Sequence, residues 1–283
     1  MQHVAIIYKR SRPDAKILAS KLKTWFEKKK IQVFSAQNID DSNVACGYQK
    51  IDIPPSADIA VVLGGDGTFL SVARFLEDRR TPVIGVNLGG LGFLTEISKE
   101  SCYRELQEIL DGKYEIEERM RLQVITRRNG REIFRQSVLN DGVINKGALA
   151  RIVDVKISID GRYLTHYRAD GLIFATPTGS TAYNLSAGGP IVYPTTRSTI
   201  LTPICPFTLT NRPIRLPSEV VIEVELGERI KDVTLTCDGQ VGCQLAPSDK
   251  IFISAATNPL RLIKTPSVDY FEILRTKLKW GQY

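Results

Sequence analysis

The chain is poor in the residues that most often carry metal and acid–base chemistry. Its two histidines are His3 and His166, which leaves almost no room for histidine catalysis or a His-ligated metal. The five cysteines (Cys46, Cys102, Cys205, Cys237, Cys243) are an odd set without a Cys-x-x-Cys pair. A disulfide framework is therefore not expected, and reduced thiols in a cytosol are. Only Cys237 and Cys243 lie close in sequence, and without a second ligand pair they do not describe a zinc site. No uncharged apolar run approaches the ~18 residues of a membrane helix. The opening Met1–Tyr8 precedes Lys9 and Arg10, the reverse of the order in a secretory signal. A soluble, cytoplasmic protein with no membrane partner is expected. Internal repeats and low-complexity tracts are absent, and so is any Gly-x-x-x-x-Gly-Lys-Ser/Thr loop.

The charge balance points toward small anions. A net charge of +7 and a pI near 9.1 suit anionic ligands. No basic cluster is interleaved with aromatics, so nucleic acid is not an expected partner. Lys28-Lys29-Lys30 and Arg127-Arg128 read as solvated basic faces. At 283 residues the chain can form one large domain or, as the patterning below favours, two.

The most informative stretch is Val61-Val62-Leu63-Gly64-Gly65-Asp66-Gly67-Thr68-Phe69-Leu70. A β-branched apolar run ends in three glycines around one carboxylate, and an apolar segment follows (Phe69, Leu70, Val72, Ala73, Phe75, Leu76). The pattern predicts a buried strand, a tight turn and a helix start. Glycines let backbone N–H groups approach a phosphate, and the helix N-terminus favours an anion. A carboxylate in such a place needs a task, which makes Asp66 a candidate catalytic base or metal ligand. The alternative is that Asp66 caps the helix or fixes the turn.

Two halves differ in period. In the first, strands at Val4–Tyr8, Ile31–Phe34, Ile59–Leu63 and Pro82–Val86 alternate with helical stretches, including Pro13 to Lys30 with Leu18, Leu22, Trp25 and Phe26 on one face. This implies a three-layer α/β domain with a mostly parallel sheet, whose ligands bind at the carboxyl ends of strands. A second glycine-rich turn, Gly85-Val86-Asn87-Leu88-Gly89-Gly90-Leu91-Gly92, follows the next strand and reads as another wall of the same cleft. After about Arg121 come short β-rich runs, Leu122–Arg127, Ile152–Ile159, Leu172–Ala175, Val220–Leu226, Val233–Cys237 and Lys250–Ser254. They are bounded by Asn129-Gly130, Asp160-Gly161 and Pro217-Ser218, which are hairpin and turn signals. A mainly antiparallel, two-sheet β domain is expected over 121–261, beside an α/β domain over 1–120. The amphipathic tail, 262–283, is expected to pack back on the first domain, and the active site is expected between the two.

The β half holds its own polar block, Asp170-Gly171 through Thr176-Pro177-Thr178-Gly179-Ser180-Thr181-Ala182-Tyr183-Asn184-Leu185-Ser186 to Gly188-Gly189-Pro190. Hydroxyls, a phenol and small side chains allow a ribose and a planar ring to approach backbone while being hydrogen-bonded. Taken with Gly64–Thr68, with Asn140-Asp141 and with Cys237-Asp238-Gly239-Gln240, this block resembles the NAD kinase family, over nearly the whole chain. The Gly-Gly-Asp-Gly turn alone is shared with diacylglycerol, sphingosine and 6-phosphofructo kinases, and a lipid kinase of that kind is the alternative. It would need an apolar acceptor pocket where this block offers hydroxyls.

The resemblance implies transfer of phosphate from ATP to the 2′-hydroxyl of the adenosine ribose of NAD, with a divalent cation, Mg²⁺, and a homodimer or homotetramer. It makes Asp66 the general base and Gly64, Gly65, Gly67 and Thr68 the phosphate-donor loop. Asn140 and Asp141 match the pair contacting the dinucleotide near its ribose and adenine. Thr181, Ala182, Tyr183, Asn184, Leu185 and Ser186 match the stretch lining the adenine and nicotinamide pockets, and Asp170 the carboxylate near the carboxamide end. Asp66 and Gly67 also belong to the NAD-binding set, and Gln240 and Arg151 fit further binding positions. Arg168 matches a basic position associated with selectivity for NAD over NADH. Its plainer reading is a charge pair with Asp170, two residues on and so on one strand face. Phe207 stands where many relatives have His, which removes any polar role at that place.

Overall fold

The structure is a computed structural model that describes all residues except 39–50, 52, 77–79, 148–151, 209, 229–230, 268 and 282–283. Arg151 and Cys46 therefore lie outside the described residues. The chain divides into two units, Met1–Glu118 with Leu260–Tyr283, and Arg119–Pro259.

The first unit runs β1 (His3–Lys9), α1 (Pro13–Lys28), β2 (Gln32–Asn38), β3 (Ile59–Gly64), α2 (Asp66–Arg74), β4 (Val83–Asn87), β5 (Ile97–Ser98), α3 (Cys102–Leu110) and β6 (Glu115–Arg119). Pro13 opens α1 at a position where its missing N–H costs nothing. Ala15, Leu18, Ala19, Leu22 and Phe26 then recur at helical spacing and are buried. Strands β1, β2, β3 and β4 pair in parallel. All six residues of β3 and all five of β4 are buried, as expected of strands covered on both faces. On one face Val4, Ile6, Val61, Leu63, Ile84 and Val86 pack with Leu18, Leu22 and Phe26 of α1 and Leu106 and Ile109 of α3. Helix α2 contacts β3 but contributes nothing to that cluster, which gives the three layers.

The second unit is built of strands. They are β7 (Leu122–Arg128), β8 (Arg131–Val138), β9 (Asp141–Lys146), β10 (Val153–Ile159), β11 (Arg162–Ala169), β12 (Gly171–Ala175), β13 (Ser198–Ile204), β14 (Ile214–Pro217), β15 (Ile222–Leu226), β16 (Val233–Cys237), β17 (Val241–Leu245) and β18 (Lys250–Ala255). A short helix, α4 (Tyr183–Ser186), follows a 3₁₀ turn at Thr178–Thr181. One six-stranded antiparallel sheet has the order β11-β10-β15-β18-β7-β8 and another β14-β13-β12-β9-β16-β17. Their inner faces share one core, with Val124, Val155, Val224 and Ile253 from the first against Ile144, Phe174, Leu201 and Leu235 from the second. Each such side chain contributes roughly 1.5–3 kcal/mol on burial. The Asn129-Gly130 and Asp160-Gly161 signals are hairpin turns, with φ values of 51° and 76° and of 49° and 75°. They join β7 to β8 and β10 to β11.

The chain then returns to the first unit as β19 (Leu260–Lys264) and α5 (Tyr270–Leu278). Strand β19 pairs in parallel with β4, completing a seven-stranded sheet of order β2-β1-β3-β4-β19-β6 with β5 beside β4. The half-buried Lys264 ammonium forms an ion pair with the buried Glu96 of the same unit.

Candidate active site

The Gly64–Thr68 turn lies where the sequence placed it, between the carboxyl end of β3 and the start of α2. Gly65 is the N-cap, in extended conformation and without a side-chain cap bond. Asp66 is the first helical residue, but its carboxylate turns away from its own helix. Oδ2 accepts the Phe93 N–H at 2.9 Å, and Oδ1 accepts the Leu94 N–H at 3.1 Å, the Thr95 N–H at 3.0 Å and the Thr95 hydroxyl at 3.0 Å. The capping role is not met. What Asp66 fixes is the segment that closes the second glycine-rich turn, so the two turns are bound through one carboxylate. Gly92 has to be glycine for this: a Cβ there would stand 2.2 Å from Asp66 Oδ1 and 2.4 Å from Thr95 Oγ1. Behind the carboxylate, Asn87 donates from Nδ2 to Thr95 Oγ1 at 2.7 Å and accepts the Gly89 N–H on Oδ1 at 2.8 Å. Asp66 and Gly65 are partly exposed and Gly67 is exposed, while Thr68 is buried. The turn thus shows backbone and a carboxylate to solvent from a rigid base.

The second unit repeats the device. Asp238 accepts the Leu139 N–H on Oδ2 at 2.9 Å, and the Asn140 and Asp141 N–H groups on Oδ1 at 2.7 and 3.1 Å. Asn140 is held from its other side by the hydroxyl-rich block. The Thr176 N–H donates to Asn140 O at 2.8 Å, and the Thr176 hydroxyl donates to Leu139 O at 2.5 Å while accepting the Gly179 N–H at 3.0 Å. Gly179 packs so closely that a Cβ would lie 2.1 Å from Asn140 O. The carboxyl of Asp141 is pushed up to about 7, first by burial and then by the charge of Asp238. Burial also raises Asp238, against its three N–H donors and the positive charge of Arg121.

The remaining sequence candidates fall into two sets. Tyr183 and Ser186 are exposed, and Thr181, Ala182, Leu185 and Gln240 are partly so, which leaves them open to a ligand. Asn184 is buried, and its amide is used inside the protein. Nδ2 donates to Ser180 O and Pro190 O, and Oδ1 accepts the Thr202 hydroxyl at 2.7 Å. Asp170 lies between β11 and β12 rather than within either strand, so it does not share a strand face with Arg168. Its carboxylate pairs with Lys146 Nζ at 2.9 Å instead, and the expected Arg168–Asp170 pair is not formed. The exposed Arg168 guanidinium lies over the Phe207 ring, 5.3 Å from its centroid, and the Phe207 N–H donates to Arg168 O at 2.9 Å. Phe207, which removed a polar role, supplies an aromatic platform for that cation.

Sequence reasoning missed Asn87, Thr95, Lys146 and the holding role of Asp238. No pattern in the neighbouring sequence marks Lys146, and nothing in the primary sequence marks a hydroxyl aimed at a carboxylate from another loop. As for a metal, no group of three or more His, Cys, Asp or Glu side chains stands together among the described residues. The protein's own donors thus do not form a cation cage.

A Gly-Asp-Gly turn at the carboxyl end of a parallel strand, in a chain whose β unit carries a hydroxyl-rich block, is the arrangement expected of a phosphotransferase. Comparison with known proteins narrows the class. The family model described as ATP-NAD kinase N-terminal domain matches residues 4–114, and that described as ATP-NAD kinase C-terminal domain matches residues 139–265. An NAD kinase of Syntrophobacter fumaroxidans is 67% identical over 282 residues, and one of Geotalea daltonii 49% over 284, with both chains covered in full in each case. Among solved structures, the yeast NADH kinase complexed with NADH superposes with a TM-score of 0.87 at 27% identity, covering 100% of this chain and 89% of that one. The Archaeoglobus fulgidus NAD kinase in complex with ATP gives 0.78 at 26%, covering 98% and 99%. The chain belongs to the NAD kinase family and is a kinase, which sets the lipid-kinase alternative aside. No helix among the described residues is long and apolar enough to cross a membrane.

Proposed function

We propose that this chain transfers the γ-phosphate of ATP to the 2′-hydroxyl of the adenosine ribose of NAD, with Asp66 as general base. The observation that carries the reading is the Asp66 carboxylate, fixed by four hydrogen bonds yet partly exposed at the glycine turn. A ribose hydroxyl is a poor nucleophile. As the 2′-oxygen forms its bond to the γ-phosphorus, its proton passes to Asp66, the bond from the γ-phosphorus to the β,γ-bridging oxygen breaks, and ADP leaves. The Gly64–Thr68 backbone and the N-terminus of α2 stabilise the phosphate charge. A magnesium ion would screen that charge while being held through the phosphates.

Asn140, Asp141, Thr181, Ala182, Tyr183, Leu185, Ser186 and Gln240 form the dinucleotide set, with Asp170 and Arg168 toward the nicotinamide end and Asn184 shaping the block from inside. Arg151 belongs to the same set through the family resemblance. A cytoplasmic, homo-oligomeric enzyme is the corresponding assignment, supported by the reduced cysteine pattern and by the family.

The test is an endpoint assay with Mg²⁺ and ATP, offering NAD and NADH in parallel and reading product with an NADP-specific dehydrogenase. NADP from NAD is expected, and Asp66→Ala should lower the rate by about 10²–10⁴-fold. Activity of Asp66→Ala within tenfold of the parent would remove the base role.

A further inference from the structure

We infer that Thr95 is a positioning residue of the reaction: backed by Asn87, it anchors Oδ1 of Asp66 and leaves Oδ2 to take the ribose proton. The inference rests on the assignment of Asp66 as base. A carboxylate has about four lone-pair directions, two on each oxygen. Among the described residues, Oδ1 meets three donors, the Leu94 N–H, the Thr95 N–H and the Thr95 hydroxyl, whereas Oδ2 meets the Phe93 N–H alone. The open acceptor direction is therefore on Oδ2.

The hydroxyl has a fixed polarity. Gly89 N–H requires an acceptor and finds Asn87 Oδ1 at 2.8 Å, so Asn87 presents its Nδ2 to Thr95. That amide can only donate. The single Thr95 proton is then directed at Asp66, 3.0 Å away. Thr95 is fully buried and Asn87 nearly so, where such bonds are strengthened by the low local dielectric. The carboxyl torsion of an aspartate is broad and roughly two-fold, so without an anchor on one oxygen the reacting lone pair would swing off line. Backbone N–H groups set where the carboxylate lies, and the hydroxyl sets how it is turned.

Thr95 also has a packing role, because its Cγ2 lies where a Cβ on Gly85 would meet it at 2.7 Å. The two roles use different atoms, so two substitutions separate them. Thr95→Val keeps the methyl group and loses the hydroxyl, while Thr95→Ser does the reverse. With NAD, ATP and Mg²⁺, Thr95→Val is expected to lower kcat about ten- to hundredfold, as for an ångström-scale misplacement of a reacting group. KM for both substrates should stay within about threefold, and Thr95→Ser should keep the larger part of kcat.

A greater loss in Thr95→Ser than in Thr95→Val would overturn the anchor in favour of packing, as would a loss expressed in KM. If Asp66→Ala drops at least a hundredfold while Thr95→Val stays within threefold, the base stands and the anchor falls. If Asp66→Ala stays within tenfold, the base reading falls and takes the anchor with it. Should Thr95→Val not fold by circular dichroism, Thr95→Ala makes the same deletion without bulk and is judged by the same outcomes.

Discussion

Replacing Asp141 by Asn should flatten the pH dependence of stability between pH 5 and pH 8. Asp141 is 5% exposed, beside Asp238, and its carboxyl is raised from 3.8 to about 7. A group whose folded pKa is raised adds stability that is complete below its unfolded value and is lost as pH rises through the folded one. The folded state keeps the proton between the two values and the unfolded state does not. With 3.8 and about 7 as the limits, linkage gives a loss of about 2–3 kcal/mol from pH 5 to pH 8. Carboxylates lowered by their partners, Asp14, Asp58, Glu105, Glu132 and Glu219, titrate below this window and act in the opposite sense. The window therefore isolates the raised pair. Urea unfolding of the parent and of Asp141→Asn at both pH values measures the difference. The parent should lose about 2–3 kcal/mol more than the variant, or about 5–10 °C in melting temperature. Equal slopes for the two proteins would refute a buried, proton-retaining Asp141.

Three further outcomes follow from close contacts. Gly92→Ala should lower kcat at least about a hundredfold, because its Cβ would stand 2.2 Å from Asp66 Oδ1 and a shifted carboxylate loses its line to the hydroxyl. Steady-state kinetics checks it, and parent-like kcat would contradict the geometry. Lys264→Met removes the ammonium that pairs with the buried Glu96, so a loss of stability is expected in denaturant unfolding. Restoration of much of that loss by adding Glu96→Gln identifies the charge as the cause. Phe207→Ala removes the ring under Arg168 and should shift the NAD-to-NADH ratio of kcat/KM severalfold, with a cation–π contact worth about 0.5–1 kcal/mol at an exposed site. An unchanged ratio would separate the ring from selectivity.

The parts legible in the sequence were those whose signal is local. Val61–Leu63 is β-branched and uncharged and ends in glycine, so strand, turn and helix start could be placed by residue. Asn129-Gly130 and Asp160-Gly161 demand positive φ, which only a few turn types accommodate. The return of Leu260–Lys264 to the first sheet was not legible as a strand, because a five-residue strand that pairs in parallel with β4 answers to a partner far away in the chain. The same limit applies within the site. Asp66 could be picked out as a carboxylate among glycines, and Asp238 stood only within the Cys237–Gln240 match; the ligands of both are backbone N–H groups at 93–95 and 139–141, which every residue carries and no side-chain pattern announces. The Arg168–Asp170 pair was expected from strand spacing, and it failed because Asp170 lies between strands and meets Lys146.

The two carboxylates give the molecule an internal control for its own chemistry. Each comes from an Asp-Gly turn and receives three consecutive backbone N–H groups, the first on Oδ2 and the next two on Oδ1. Asp66 alone adds the Thr95 hydroxyl. Replacing either by Asn must set an amide NH₂ against a backbone N–H, since both oxygens accept from backbone in both cases. Leaving such a donor unmatched costs about 1–3 kcal/mol, so Asp66→Asn and Asp238→Asn should lose similar stability in urea unfolding. Their kinetics should part. Asp238→Asn loosens the Leu139–Asp141 segment and should raise KM for NAD, with kcat kept within about tenfold. Asp66→Asn should lower kcat by the 10²–10⁴ that a general base supplies. Equal losses of kcat in the two variants would mean that Asp66, like Asp238, serves only to hold a loop.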